Sequence, residues 1–156
     1  SSVTGVQTCA LPILDGTTHA VTVSGSAWAS GVLTLEGLVI TGTKGSYTLS
    51  VVDATDAGVD GSDTLTLGYG AATDLQVAAP ATAANGAAMA DVTVTALDSG
   101  LNTAEGFGHS VTVSVSSGSG YITATGTGTL DGTTHAVTVS GSAWASGVLK
   151  IGRAHV

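Results

Sequence analysis

Cationic side chains are nearly missing from this chain. Three Lys and Arg stand against eleven Asp and Glu, for a formal net charge of −8. Proteins that hold nucleic acid do so by neutralising phosphate with clustered Lys and Arg, so nucleic acid is excluded as a partner, and an anionic membrane surface is disfavoured for the same reason. One cysteine, Cys9, cannot form an intrachain disulfide or a multi-thiolate metal site. No apolar run approaches the roughly 18–20 residues of a membrane-spanning helix, so membrane insertion is not expected. Aromatic residues make up 4% of the chain and charged residues 9%. The strong helix formers Glu, Lys, Gln and Arg are scarce. Val, Thr, Ser, Ala and 23 glycines fill the space they leave, which is the composition of short strands joined by tight turns.

What the chain does have is a duplication. The string LDGTTHAVTVSGSAWASGVL occupies Leu14–Leu33 and again Leu130–Leu149, 116 positions further on. Twenty consecutive identities do not arise by chance. A tandem array with a period of about 116 residues accounts for them, and so does an assembly of DNA reads that looped on itself. The array reading points to a modular protein rather than to a stand-alone enzyme.

The flanks of the two copies differ from the rest. Gln7–Ile13 can be encoded by one short DNA, CAGACGTGTGCTCTTCCGATC, whose reverse complement encodes Ile151–Val156 in another frame. Residues 1–13 and 150–156 therefore resemble translated sequencing-adapter DNA on the ends of an assembled environmental fragment, and are expected to be foreign to the protein. Cys9, Pro12, Arg153 and His155 then drop out of any functional argument. Between Leu14 and Leu149 the cations reduce to Lys44, while all eleven acidic residues remain.

Alternation of period two recurs along this stretch. It predicts strands at His19–Val23 and His135–Val139, at Val32–Glu36 continuing through Leu38–Thr41, and at Tyr47–Val51, Thr64–Leu67, Leu75–Ala78, Val92–Ala96, Val111–Val115 and Tyr121–Thr125. Turn residues separate them, among them Asp60-Gly61, Asn85-Gly86 and Asp98-Ser99-Gly100. Short strands with turns about every ten residues read as an antiparallel β-sandwich.

Ala72–Leu101 resembles the opening of bacterial Ig-like repeats of the invasin and filamin type, in which a Val-Thr-Ala strand leads into an Asp-x-x-Gly-Asn turn. Here the turn is Asp98-Ser99-Gly100-Leu101-Asn102, with the glycine one position early and Leu97 inserted before the Asp. Gly45–Val51 looks like the late Gly-x-Tyr-x-Leu strand of the same repeats. The resemblance implies an all-β, antiparallel Ig-like sandwich, present as a permuted period of a tandem repeat. Residues 14–67 would be the C-terminal part of one repeat, 68–73 a linker and 74–149 the N-terminal part of the next. Such modules build stalks of secreted and cell-surface bacterial adhesins. Neighbouring identical repeats, and a host or cell-surface glycan or protein, would be the partners. The other reading is a carbohydrate-binding or spacer module of an extracellular hydrolase. In these modules the first and last strands end at opposite poles, so a six-residue linker with a reach of about 20 Å is expected to close one sandwich only marginally, leaving open sheet edges that self-associate.

Few residues offer chemistry. Asp53, Asp56, Asp60 and Asp63 form one acidic run that would suit Ca²⁺, which takes roughly six to eight oxygens; the other reading is a solvated acidic loop, and no other cofactor is implied. Trp28 and Trp144 are one repeat position seen twice, either core fillers beside Tyr47 or a stacking platform for sugar. Tyr47 fits a corner tyrosine whose hydroxyl bonds to backbone. His19, His109 and His135 begin strands and lack zinc-ligand spacing. Lys44 would matter if it were cross-linked to Asn85 or Asn102, the asparagines of the chain. No Gly-x-Ser-x-Gly elbow leads from a strand to a helix, so no catalytic residue is assigned. The two readings of the acidic run separate on a melting curve: a calcium site raises the Tm in Ca²⁺ and loses that gain to a chelator, whereas a solvated loop does neither.

Overall fold

The computed structural model describes residues 13–14, 16–23, 25 and 28–152. Most of the adapter-like flanks, with Asp15, Ser24, Ser26 and Ala27, lie outside the described residues. The chain is nearly all-β, as composition and alternation predict. Its strands are β1 (Ile13–Leu14), β2 (Val21–Thr22), β3 (Gly45–Val52), β4 (Asp60–Leu67), β5 (Asp74–Ala78), β6 (Val92–Leu97), β7 (Val111–Val113), β8 (Thr129–Leu130), β9 (Val137–Val139) and β10 (Val148–Ile151), and a 3₁₀ turn spans Gly141–Ala143. Among the described residues every strand pairing is antiparallel. Among the described residues no helix is long and apolar enough to cross a membrane.

Two compact units divide between Val39 and Ile40. The first carries the β1–β2 pair. The second holds the β3–β4 hairpin and two three-stranded sheets, ordered β10-β6-β5 and β7-β9-β8. Alternation decides which side chains enter the core. On β6, Val94 and Ala96 are buried, and the register sets Leu149 opposite Val94 and Ile151 opposite Val92. On β9, Val137 and Val139 are buried and face Val113 and Val111 of β7. Side chains from both sheets meet in one cluster of Val94, Val137, Val139 and Leu149, with Val111, Val113, Ile122, Leu130, Trp144 and Ile151 packed against it.

The hairpin departs from the sequence reading. Asp60-Gly61 is not a turn but the start of β4, with Asp60 opposite Val52 and Gly61 opposite Val51. The reversal is made by Asp53, whose Oδ1 accepts from the backbone N–H of Thr55 (2.6 Å) and of Asp56 (3.0 Å). Eight paired positions then carry the acidic stretch into the ladder against its low strand propensity. Val32–Glu36 and Leu38–Thr41 depart in the other direction. Apart from a bridge between Ala29 and Val32 they form no strand. The same Val-Leu pair becomes β10 in the second copy because β6 lies beside it; alternation alone does not make a strand where no backbone offers hydrogen bonds. Tyr121–Thr125 is likewise irregular, although Ile122 reaches the core.

Identical leucines thus carry different loads. Leu149 is wholly buried, whereas Leu33 is half-exposed. Leu149→Ala is expected to cost about 2–5 kcal/mol, and Leu33→Ala well under half of its counterpart's value; urea unfolding of the two variants checks this.

Candidate functional site

The most organised polar group among the described residues is the turn after β6. Asp98 is 5% exposed and Asn102 8%. Asp98 Oδ1 accepts from the backbone N–H of Gly100 and Asn102, each at 2.9 Å, and from Asn102 Nδ2 at 3.1 Å. Its Oδ2 accepts from the Gly70 N–H at 2.7 Å. These donors, Gly70 foremost and then those of Asn102 and Gly100, outweigh the effect of burial and hold the Asp98 carboxyl down at about 2, from an ordinary 3.8. Asn102 extends the network. Its Nδ2 donates to the Gly42 carbonyl at 2.9 Å, and its Oδ1 accepts from the Lys44 N–H. One carboxylate and one amide therefore join residues 42–44, 70 and 98–102.

The shifted glycine of this turn has a physical account. The left-handed conformation falls on Leu101, with φ of 62°. Gly100 is instead fixed by crowding: a Cβ there would run into the Gly42 carbonyl oxygen, and would lie 2.8 Å from Asn102 Nδ2. Close backbone approach takes the glycine, and a leucine bears the strain.

The same pole holds both ends of the linker. Leu67 closes the hairpin opposite Gly45, and Asp74 lies opposite Leu97, the neighbour of Asp98. Residues 68–73 therefore join β4 to β5 at one pole and do not run back along a strand. Tyr47 occupies this pole as expected, its hydroxyl donating to the Thr43 carbonyl at 2.6 Å. Lys44 Nζ pairs with Glu105 Oε1 at 3.0 Å and lies 5.7 Å from the centre of the Tyr69 ring. Its amine is directed at a carboxylate rather than at Asn85 or Asn102.

At its described residues the duplicated string keeps the same local geometry in both copies. His19 and His135 have φ of 55° and 53°, Ser30 and Ser146 51° and 47°, and Gly31 and Gly147 77° and 74°. The Trp28 N–H donates to the Gly25 carbonyl at 3.4 Å, and Trp144 to Gly141 at 3.3 Å. Leu14 opposite Val21 matches Leu130 opposite Val137. Surroundings differ. Trp144 donates its indole N–H to the His109 carbonyl at 2.9 Å and sets its ring edge-on to Phe107 with centroids 4.7 Å apart. Its ring neighbour is Phe107, not the expected Tyr47. Trp28 is 51% exposed. Alternation does not single out Phe107, though the flanking glycines of Gly106-Phe107-Gly108 mark a place where backbones approach a ring. His135 lies against the Tyr121 ring, with centroids 4.5 Å apart.

The acidic run is spread over the hairpin. Asp53 and Asp56 cap its loop, the latter accepting from the Gly58 N–H at 3.0 Å. Asp60 and Asp63 stand three positions apart in β4, which places them on opposite faces. Hydrogen bonds from Thr55 and Asp56 lower the Asp53 carboxyl below its usual range. The structure does not gather the four: among the described residues no group of three or more His, Cys, Asp or Glu is placed to hold a metal ion.

Asp98 and Asp53 are both lowered, so their contribution is full above the unfolded value near 4 and is lost as pH falls through the folded one. The Tm should drop between about pH 4 and pH 2, and Asp98→Asn should flatten most of that drop. Leu101→Gly should raise stability by up to about 1 kcal/mol, relief of left-handed strain exceeding the greater entropy of an unfolded glycine; this side chain is 76% exposed, so little burial is lost. No family model, no curated protein and no solved structure matches the chain.

Proposed function

We propose that the chain is a non-catalytic structural repeat, one permuted period of a tandem array that forms the stalk of a secreted or cell-surface bacterial protein. The observation that carries this reading is the duplicated string, whose described residues repeat their φ values in both copies and which, where β6 and β7 lie beside it, supplies Val137, Val139 and Leu149 to the core. A module whose strands are completed in this way is suited to transmit length, with Ig-like sandwiches set in a row by short linkers. The polar chemistry supports it too. Asp98, Asn102 and Tyr47 are spent on backbone groups of their own unit, which stiffens a joint and leaves none of the three poised for catalysis. Neighbouring repeats are the first partners, and a glycan or protein at the distal tip of the array is the second.

The exposed indole of Trp28 favours the other reading, a carbohydrate-binding module of an extracellular hydrolase. The equivalent Trp144 shows what the position does when its neighbours are present: it packs on Phe107 and gives up its N–H. The stalk reading is therefore preferred.

Arrays of two, four and six periods of 116 residues should give maximum dimensions in small-angle X-ray scattering that grow linearly with the number of units. Growth near the cube root of mass would count against a stalk. Binding of soluble polysaccharides that is lost on Trp28→Ala would favour the second reading.

A further inference from the structure

The second copy of the duplicated string is seated in a slot. One wall is β6, which pairs with β10, and the other is β7, which pairs with β9. The floor between them is Phe107–Ser110, which takes the Trp144 ring and its N–H. Two glycines of the string make this seating possible. A Cβ on Gly141 would run into the Gly108 carbonyl, and one on Gly147 would lie 2.6 Å from the Ala104 carbonyl oxygen. The first copy has the same twenty residues and matching φ values at His19, Ser30 and Gly31, but a Cβ on its Gly25 or Gly31 would meet nothing within 4 Å among the described residues. Its Val32 and Trp28, counterparts of half-buried Val148 and Trp144, are 63% and 51% exposed.

We infer that the slot is a binding site for this string as such, and that the Leu14–Leu33 copy of one chain, open to solvent at Trp28 and Val32, seats in the slot of a second chain. Sequence identity makes the exchange neutral over the shared twenty residues, because the incoming string presents the same side chains to the same walls as the outgoing one. The donor is also preorganised. Its His19, Ser30 and Gly31 already hold the seated φ values while Trp28 and Val32 are open to solvent, which lowers the ordering entropy lost on docking. A chain's own second copy keeps the slot filled at micromolar protein, since a tethered segment acts at an effective concentration of about millimolar. Exchange therefore becomes visible once that copy is disabled. The spare segment then joins chains head to tail, a heterologous arrangement that can repeat without closing. None of this depends on the stalk reading.

Gly25→Ala and Gly141→Ala separate donor from acceptor within the full chain. A chain carrying both has a slot and no string able to enter it. Mixed with the unaltered chain, whose Leu14–Leu33 is spare, it should form a one-to-one complex in analytical ultracentrifugation. Mixed with a chain carrying Gly25→Ala alone, it should form none. A synthetic peptide of the twenty residues should bind the double variant and restore a cooperative melt, and the same peptide with Ala at the position of Gly25 should bind at least about tenfold more weakly. The peptide readout holds even if the double variant is unfolded alone, because binding then refolds it. The inference is overturned if the double variant takes up neither peptide nor unaltered chain, or if it takes up the Gly25→Ala chain equally well.

Discussion

The second unit depends on one buried carboxylate. Asp98 collects N–H groups from its own turn and from Gly70, and Asn102 carries the network on to Gly42 and Lys44. A buried carboxylate without such donors costs several kcal/mol. Satisfied as it is, it fixes the course of three stretches of backbone that have few apolar side chains to hold them. The buried apolar residues are small or medium in size, valine and alanine with one leucine. In a core this thin, a polar joint sets which hairpin belongs to which sheets. It explains why residues 40–67 share a unit with β5 to β10 rather than with the first copy.

The duplicated string separates two contributions that usually arrive together. Its left-handed residues and its β-bridge are the same in both copies, so they are local properties of the sequence. Its burial, its longer strands and the partner of its indole belong to the second copy, so they come from tertiary surroundings. Secondary structure follows the second contribution as well: Val148–Ile151 is a strand and the stretch from Val32 onward is not. Identical residues in one chain give this result without the complication of comparing two proteins.

That division also states what is legible in the sequence. Composition and alternation locate β5, β6, β7 and β9 and give the antiparallel all-β class. They misplace the reversal of the hairpin, because Asp60-Gly61 satisfies turn chemistry while Asp53 does the capping. They extend strands through Leu33–Thr41, where no described strand lies alongside to form a ladder. The Asp98 turn is visible as a motif, but its joint to Gly42, Lys44 and Gly70 is not, since nothing local to those residues announces a distant acceptor. The seat of the indole on Phe107 is hidden for the same reason. Two tryptophans at one repeat position read as a single site, and the structure makes them two.

The approach of Gly141 to Gly108 has an evolutionary side. Backbone meets backbone there, so at position 141 every side chain is excluded, while the glycine at position 25 has no described atom within 4 Å of where a Cβ would lie. In an isolated chain, mutations would accumulate freely in the first copy and be purged from the second, and the two would drift apart. If the chain is one period of an array, their complete identity is the outcome expected when each copy in its turn occupies a slot, or when duplication is recent enough that drift has not begun; an assembly of reads that looped on itself gives the same identity. The sequences of further periods would tell these histories apart, because only the first leaves both glycines fixed while exposed positions around them diverge.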